Sequence, residues 1–171
     1  VNSDKPTIEY CTVSNNDGSG VVLDECGDAI VKNCKVSGNG DKGVDCRSNA
    51  TIESCEISDN LSGIYSSGDY NTTISNSTVS GHSTTYGAGI VCGSGDQLVI
   101  TRCTIVNNSA SMEGGGIYFE SGSNATISHC TISGNSARNN GGGVACDYRA
   151  NPTLVNSSVT NNTNGGVWVS V

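Results

Sequence analysis

The chain has 171 residues, 8 Lys plus Arg against 16 Asp plus Glu, and a formal net charge of −8. That balance argues against nucleic acid, whose affinity comes mostly from cations meeting phosphate, and against an anionic membrane surface; no apolar run approaches the ~18 residues of a membrane span. Apolar residues make up only 35% and Gly numbers 23, little for a broad globular core but enough for a coil that buries a narrow column.

Seven similar units follow one another along the chain. In each, an apolar residue is followed by Cys or Ser three later, Val or Ile five later and Asn, or once His, eight later. A Gly then precedes a second β-branched residue. The units run Ile8, Cys11, Val13, Asn16, Gly20-Val21; then Val31, Cys34, Val36, Asn39, Gly43-Val44; then Ile52, Cys55, Ile57, Asn60, Gly63-Ile64. The fourth reads Ile74, Ser77, Val79, His82, Gly89-Ile90, and the fifth Ile100, Cys103, Ile105, Asn108, Gly116-Ile117. The last two read Ile127, Cys130, Ile132, Asn135, Gly143-Val144 and Leu154, Ser157, Val159, Asn162, Gly166-Val167. The starts are 23, 21, 22, 26, 27 and 27 residues apart.

Short β-branched stretches of period two, broken by Gly and Asn, read as strands and turns. Gly and Asn tolerate the left-handed backbone of a sharp bend, so these columns are expected to mark corners. A further turn column is expected at Asp28, Asn49, Asn71, Gln97, Asn124 and Asn151. Stacked Asn side chains can bond amide to amide along an axis. The prediction is an all-β, right-handed, single-stranded parallel β-helix of about seven rungs, one domain over 1–171, roughly 30 Å long at ~4.8 Å per rung. The Leu-x-x-Leu-x-Leu pattern of a leucine-rich horseshoe is absent.

Units such as NATIESCEISDN, NATISHCTISGN and VITRCTIVNN resemble the repeats of the pectate-lyase-like superfamily. The resemblance covers the whole chain and implies the fold; that superfamily includes lyases, hydrolases, epimerases, tailspikes and non-enzymatic surface proteins. Rungs five and six, IVNNSASMEGGGIYF and ISGNSARNNGGGVAC, also resemble polymorphic outer-membrane adhesin repeats, with Ile or Val replacing that family's Phe.

Nine Cys are enough for a disulfide framework, but they fall into columns. Cys11, Cys34, Cys55, Cys103 and Cys130 share a position with Ser77 and Ser157; Cys46, Cys92 and Cys146 alternate with Ser66 and Phe119; only Cys26 lies off both. Positions that exchange Cys for Ser or Phe read as interior slots holding free thiols as small packing groups. No Cys-x-x-Cys or Cys/His cluster suggests a metal, and no metal or cofactor is expected.

Outward columns read Glu9-Lys32-Glu53 and Thr12-Lys35-Glu56 over the first rungs, then Ser, Thr and one Val. They are the charge pairing of a solvated sheet face. The candidate catalytic pair is Glu120 with Asp147, at equivalent positions on neighbouring rungs and so near the separation of a retaining glycosidase's carboxylates. Tyr118, Tyr148, Arg149 and Trp168 lie near them in register. His82 replaces a ladder Asn and His129 sits in a bend column with Tyr10, Asn33 and Arg102; both read as turn residues. The Gly-Asp pairs at Asp28, Asp41, Asp69 and Asp96 match no calcium-binding repeat. An ice-binding array of outward Thr is interrupted at Ile30 and Val99.

Sequons occur at Asn49, Asn60, Asn71, Asn76, Asn107, Asn124, Asn156 and Asn161, candidate glycosylation sites if the turn Asn residues are exposed. Rungs four to six carry longer turns, Ser83 to Ala88, Ser109 to Gly115 and Ser136 to Gly142. They should form one ridge, a partner face with Tyr86, Met112 and Arg138 as well as Tyr118 and Trp168. Their Gly-Gly pairs suit flexible lids. The leading reading is a non-enzymatic extracellular or cell-surface structural and adhesive module; the rival is a carbohydrate-active enzyme or carbohydrate-binding module. Partners are expected to be glycans and further solenoid, through uncapped ends stacked head to tail into a filament or continuous with flanking segments.

Overall fold

The computed structural model describes residues 5–170. Three seven-stranded parallel sheets wrap one coil, and successive strands of each sheet come from successive rungs. We call them faces A, B and C, with first strands Thr7–Glu9, Thr12–Ser14 and Val21–Asp24. Pairing follows the repeat: Ile8 opposes Val31, Ile74 opposes Ile100, and Ile127 opposes Leu154 on face A. The other two β-branched columns align in the same way on faces B and C. Strands of three to six residues suffice because each strand within a sheet gains partners on both sides and sends alternate side chains inward. The interior is a column of Ile, Val and Cys; Ile52, Ile57, Ile64, Ile105 and Ile117 are fully buried, each adding on the order of 1.5–3 kcal/mol of apolar burial.

The bend column read in the sequence is the corner between faces A and B, while the other corners differ from the expected ones. Between faces A and B a single residue per rung is left-handed: Tyr10, Asn33, Ser54, Asn76, Arg102, His129 and Asn156, with φ between 49° and 56°. After face B the left-handed residue is not the ladder Asn but the one before it, as at Asn15, Gly38, Asp59 and Asn107. Of the supposed turn column, Asn71, Gln97, Asn124 and Asn151 already begin face A strands.

The recurrence of Gly before face C has a steric cause. A Cβ at Gly43 would lie 2.7 Å from Ile57 Cγ2, 2.8 Å from Asn60 Nδ2 and 2.9 Å from the Gly63 carbonyl. The residue lets the chain pass against the Asn ladder of the next rung; no left-handed conformation is involved.

That ladder forms as expected. Asn108 takes the N–H of His82 at 3.1 Å, and its amide donates to Asn135 Oδ1 at 2.9 Å and to the Val79 carbonyl at 3.2 Å. His82 imitates it: Nδ1 accepts the Asn60 N–H at 3.2 Å while Nε2 meets the Ile57 carbonyl at 3.2 Å. The neutral ring with its proton on Nε2 satisfies both.

All nine Cys are free, and seven are buried; Cys11 is exposed and Cys26 half-buried beside Ser48 Oγ at 3.1 Å. The first Cys column is more than apolar packing. Each thiol or hydroxyl donates to the carbonyl two residues back, as Cys34 to Lys32 at 3.1 Å and Ser77 to Ser75 at 2.8 Å. Cys34, Ser77, Cys130 and Ser157 also accept an N–H from the preceding rung, as Cys11 to Cys34 Sγ at 3.5 Å and Cys55 to Ser77 Oγ at 3.1 Å. Cys and Ser interchange because both can do this. Burial pushes the Cys92 thiol up to about 12 and the Cys146 thiol to about 11, so both stay protonated and inert at neutral pH.

Candidate functional site

The long turns of rungs four to six do form a ridge, as a fourth, three-stranded parallel sheet: Ser83–Tyr86, Ser109–Glu113 and Ser136–Ala137. Under it Ala88, Ala110 and Ala137 are buried together. The Gly pairs are packing devices and not lids. Gly114, with φ 67°, folds the ridge back so closely that a Cβ would lie 2.7 Å from Tyr118 Cβ. Gly87 and Gly141 bring their rungs equally close to Val91 and Ala145.

This closure changes the outward side of face C. Its outward column reads Val22, Asp45, Tyr65, Val91, Tyr118, Ala145, Trp168. Val91, Tyr118 and Ala145 are buried there as a second small apolar cluster, against which Tyr65 and Trp168 pack. Beside it runs a groove. One part is lined by Tyr86, Ser94, Tyr118, Glu120, Ser121 and Asp147. The other shares Tyr86, Tyr118 and Glu120 and continues past Thr84 and Tyr65 to Lys42 and Asp41.

Tyr86 and Tyr118 form an aromatic wall, ring centroids 5.6 Å apart and tilted by 34°. The Tyr118 hydroxyl donates to Asp147 Oδ2 at 3.1 Å. Burial, with the Asp147 charge beside it, pushes the Tyr118 phenol well above its ordinary range, so it remains a donor at any physiological pH. Glu120 Oε2 accepts the Ser94 N–H at 3.3 Å. At the far end Lys42 lies 5.2 Å from the Tyr65 ring centroid and bridges Asp41 at 3.3 Å and Asp45 at 3.4 Å. Arg47 also holds Asp45 Oδ2, at 2.7 Å, while the buried Oδ1 has no partner.

The structure therefore gathers Glu120, Asp147, Tyr118 and Tyr86 around one groove, while Trp168 packs against the Val91–Tyr118–Ala145 cluster and does not line it. Met112 and Arg138 stand on the ridge and do not line it; the Asn139 amide approaches Met112 Sδ at 3.8 Å. Arg149 lies 4.8 Å from its neighbour Tyr148's ring centroid and both are exposed. Tyr65, Lys42 and Ser94 were not singled out in sequence. Tyr65 was legible, since the outward column of face C begins two residues after each ladder-facing Gly; Ser94 enters only through the three-dimensional turn.

Elsewhere, Asp96 is fully buried at the corner between faces C and A. Its Oδ1 accepts the Tyr70 N–H at 3.0 Å and its Oδ2 has no partner; burial raises its pKa. Among the described residues no three His, Cys, Asp or Glu gather as metal ligands. Asn60 is corrected as a glycosylation candidate: it is a ladder residue, 4% exposed, whose amide donates to the Val36 carbonyl at 3.1 Å. Asn49 is half-buried, and Asn71, Asn76, Asn107, Asn124, Asn156 and Asn161 are exposed.

The family model for the right-handed β-helix region matches residues 1–138 and, overlapping it, 44–171. The chain belongs to this family, and the pectate-lyase-like architecture agrees with it. No curated protein and no solved structure matches the chain significantly.

Proposed function

We propose that this β-solenoid is a non-enzymatic extracellular adhesive module that holds glycans in the groove between face C and the ridge, on a shaft continued by further rungs. The observation that carries it is the aromatic–carboxylate groove, built on the one side where three consecutive rungs are thickened. Aromatic faces stack on the apolar faces of sugars, and carboxylates, hydroxyls and backbone amides take their hydroxyls. Ladder polarity supports the shaft. Asn16 donates to Asn39 at 2.9 Å, Asn39 to Asn60 at 2.8 Å and Asn135 to Asn162 at 3.1 Å, always towards the following rung, so an added rung of the same kind prolongs the series. Lys5-Pro6-Thr7-Ile8 also copies the pattern of Asn151-Pro152-Thr153-Leu154. The added rung comes from the same polypeptide or from another copy; a junction between Val171 and Val1 lies outside the described residues.

Oligosaccharide binding by the wild type, weakened at least tenfold by Tyr86→Ala, is the expected result; unchanged binding in that variant removes the groove from the proposal. Sedimentation and electron microscopy test whether another copy supplies the added rung, which a monodisperse monomer at high concentration would contradict. The adjacency of Glu120 and Asp147 keeps the enzymatic alternative specific: polysaccharide turnover abolished by Glu120→Gln would replace the adhesive reading with a catalytic one.

A further inference from the structure

We propose that the outer side of rung seven is a docking face for one kind of rung, with glycine at the corner after face B, supplied by a flanking solenoid segment and not by rung one of a second copy; this rests on the reading of the chain as a stretch of shaft. The corner alternates along the axis. Its left-handed residue is Asn15, Gly38, Asp59, Gly81, Asn107, Gly134 and Asn161 on rungs one to seven, with φ between 55° and 73°. Side chains therefore stand on odd rungs and glycine on even ones. A Cβ at Gly38 would lie 2.7 Å from Asn15 Oδ1, and one at Gly134 would lie 2.6 Å from Asn107 Oδ1. At Gly81 it would press on Asp59 Oδ1 in the same way. Each odd-rung side chain lies over the Cα of the following rung, where the left-handed backbone also favours glycine.

A second column keeps the same parity. Inside face C the aligned residues are Leu23, Cys46, Ser66, Cys92, Phe119, Cys146 and Val169. Every even rung holds Cys, and every odd-rung residue adjoins only Cys. The unit of the stack is thus a pair of rungs, and rung seven is an odd one with no even rung after it among the described residues. Its outer side continues the interface that joins all seven rungs. Leu154, Val167 and Val169 are 41%, 52% and 56% exposed there, whereas Ile127, Val144 and Cys146 one rung earlier are buried. All six line an open pocket at that end. An even-type rung would meet Asn161 with glycine and Val169 with Cys. Rung one of a second copy would set Asn15 on Asn161 and Leu23 on Val169, pairings that neither column shows.

The test appends a rung. Val169 stands in the column of Leu23, so a repeat of residues 26–47 placed after Val171 continues the register. Two chains are compared under reducing conditions, one with this rung unchanged and one with Gly38→Asn in the appended copy. The first should melt at least about 5 °C above wild type and slow hydrogen exchange across Asn151–Val155 and Ser158–Thr160 at least about tenfold. The second should gain less than half as much, and adding Asn161→Gly to it should restore the gain, because the crowded pair is then relieved from the other side. Equal gains from both appended rungs, or no rescue by Asn161→Gly, would overturn the parity rule and leave the shaft standing. No gain from either would remove the shaft together with the inference. Wild type should sediment as a monomer at high concentration; head-to-tail filaments of wild type would overturn the choice of a flanking segment over a second copy.

Discussion

Rungs one to three and rungs four to six run the same interior program and differ outside. The first three coils repeat every 21 to 23 residues and carry Lys32–Glu53 and Lys35–Glu56 bridges on solvated faces. The later coils repeat every 26 or 27 residues, and the extra residues pair into a ridge that closes over the outward side of face C and buries a second apolar cluster there. Val22, on a thin rung, is 51% exposed; Val91, its counterpart beneath the ridge, is 4% exposed. A solenoid can therefore gain a binding wall without altering its stack, because the inserted residues add backbone hydrogen bonds of their own and leave the interior register untouched.

The sharpest test of a shared interior is the slot where the halves hold different residues in one column. Ser66 fills it on rung three and Phe119 on rung five, both at 0% exposure. Phe119→Ala should cost about 3–5 kcal/mol through the cavity left behind, read from thermal or denaturant melting. Ser66→Phe should cost about 1–3 kcal/mol by overpacking, since the thin half has shaped its slot around a hydroxyl bonded to Thr72 at 3.0 Å. If both substitutions prove neutral, the columns are loosely packed and the common interior is an illusion of the repeat.

Next in size is the Asn ladder. Asn108→Ala strands the His82 N–H and the Val79 carbonyl, for an expected loss of about 2–6 kcal/mol at ~1–3 kcal/mol per buried orphan. Asn76→Ala, at an exposed left-handed bend, should lose only about 1–2 kcal/mol of conformational preference. Equal shifts in melting temperature would deny the ladder its role. This pair also shows where sequence reading reached and where it stopped. Periodicity alone distinguished the ladder column from the bend column, because one is monotonous and the other admits Tyr, Ser, Arg and His. It misplaced the left-handed residue by one, since Asn serves both for its backbone tolerance and for its amide, and composition cannot separate the two uses. The groove was half legible: Glu120 and Asp147 follow from register, but Ser94 and the burial of Tyr118 depend on how the ridge folds back over Gly87, Gly114 and Gly141.

His82 is where the two halves meet in the ladder, and it makes the junction pH-sensitive. Burial lowers its pKa, against weaker opposing effects from the Asn60 and Ile57 backbone and the Asp59 charge. The unfolded chain, with an ordinary pKa of ~6.5, then takes up a proton before the folded one does. Stability is full above that value and falls as pH drops below it, because protonated Nδ1 can no longer accept the Asn60 N–H. Asp96, whose pKa is raised by burial, works in the opposite direction, so the informative quantity is the difference between wild type and His82→Asn. The variant restores an amide to the ladder and should flatten stability between pH 7 and 5. A wild-type curve that the substitution leaves unchanged would mean that the ring titrates freely or not at all.

The smallest expected effect concerns the charges that most visibly mark the thin half. Lys35 and Glu56 approach to 2.9 Å, yet their side chains are 51% and 55% exposed, so solvent and salt screen the pair and holding two long side chains together offsets much of the attraction. The column itself supplies the replacement: on rungs four to six the equivalents are Thr78, Thr104 and Thr131. Thr has the higher strand propensity, and three stacked Thr already serve the same face in the ridge half. Lys35→Thr with Glu56→Thr should therefore leave stability within about 0.5 kcal/mol, and a double-mutant cycle should give a coupling energy below about 1 kcal/mol that fades with added salt. If the cycle returned several kcal/mol and did not respond to salt, the thin half would owe its stability to its outer surface. The contrast between a common stack and a decorated exterior would then have to be drawn the other way round, with the charged ladders as structural members and the ridge as the thicker half's substitute for them.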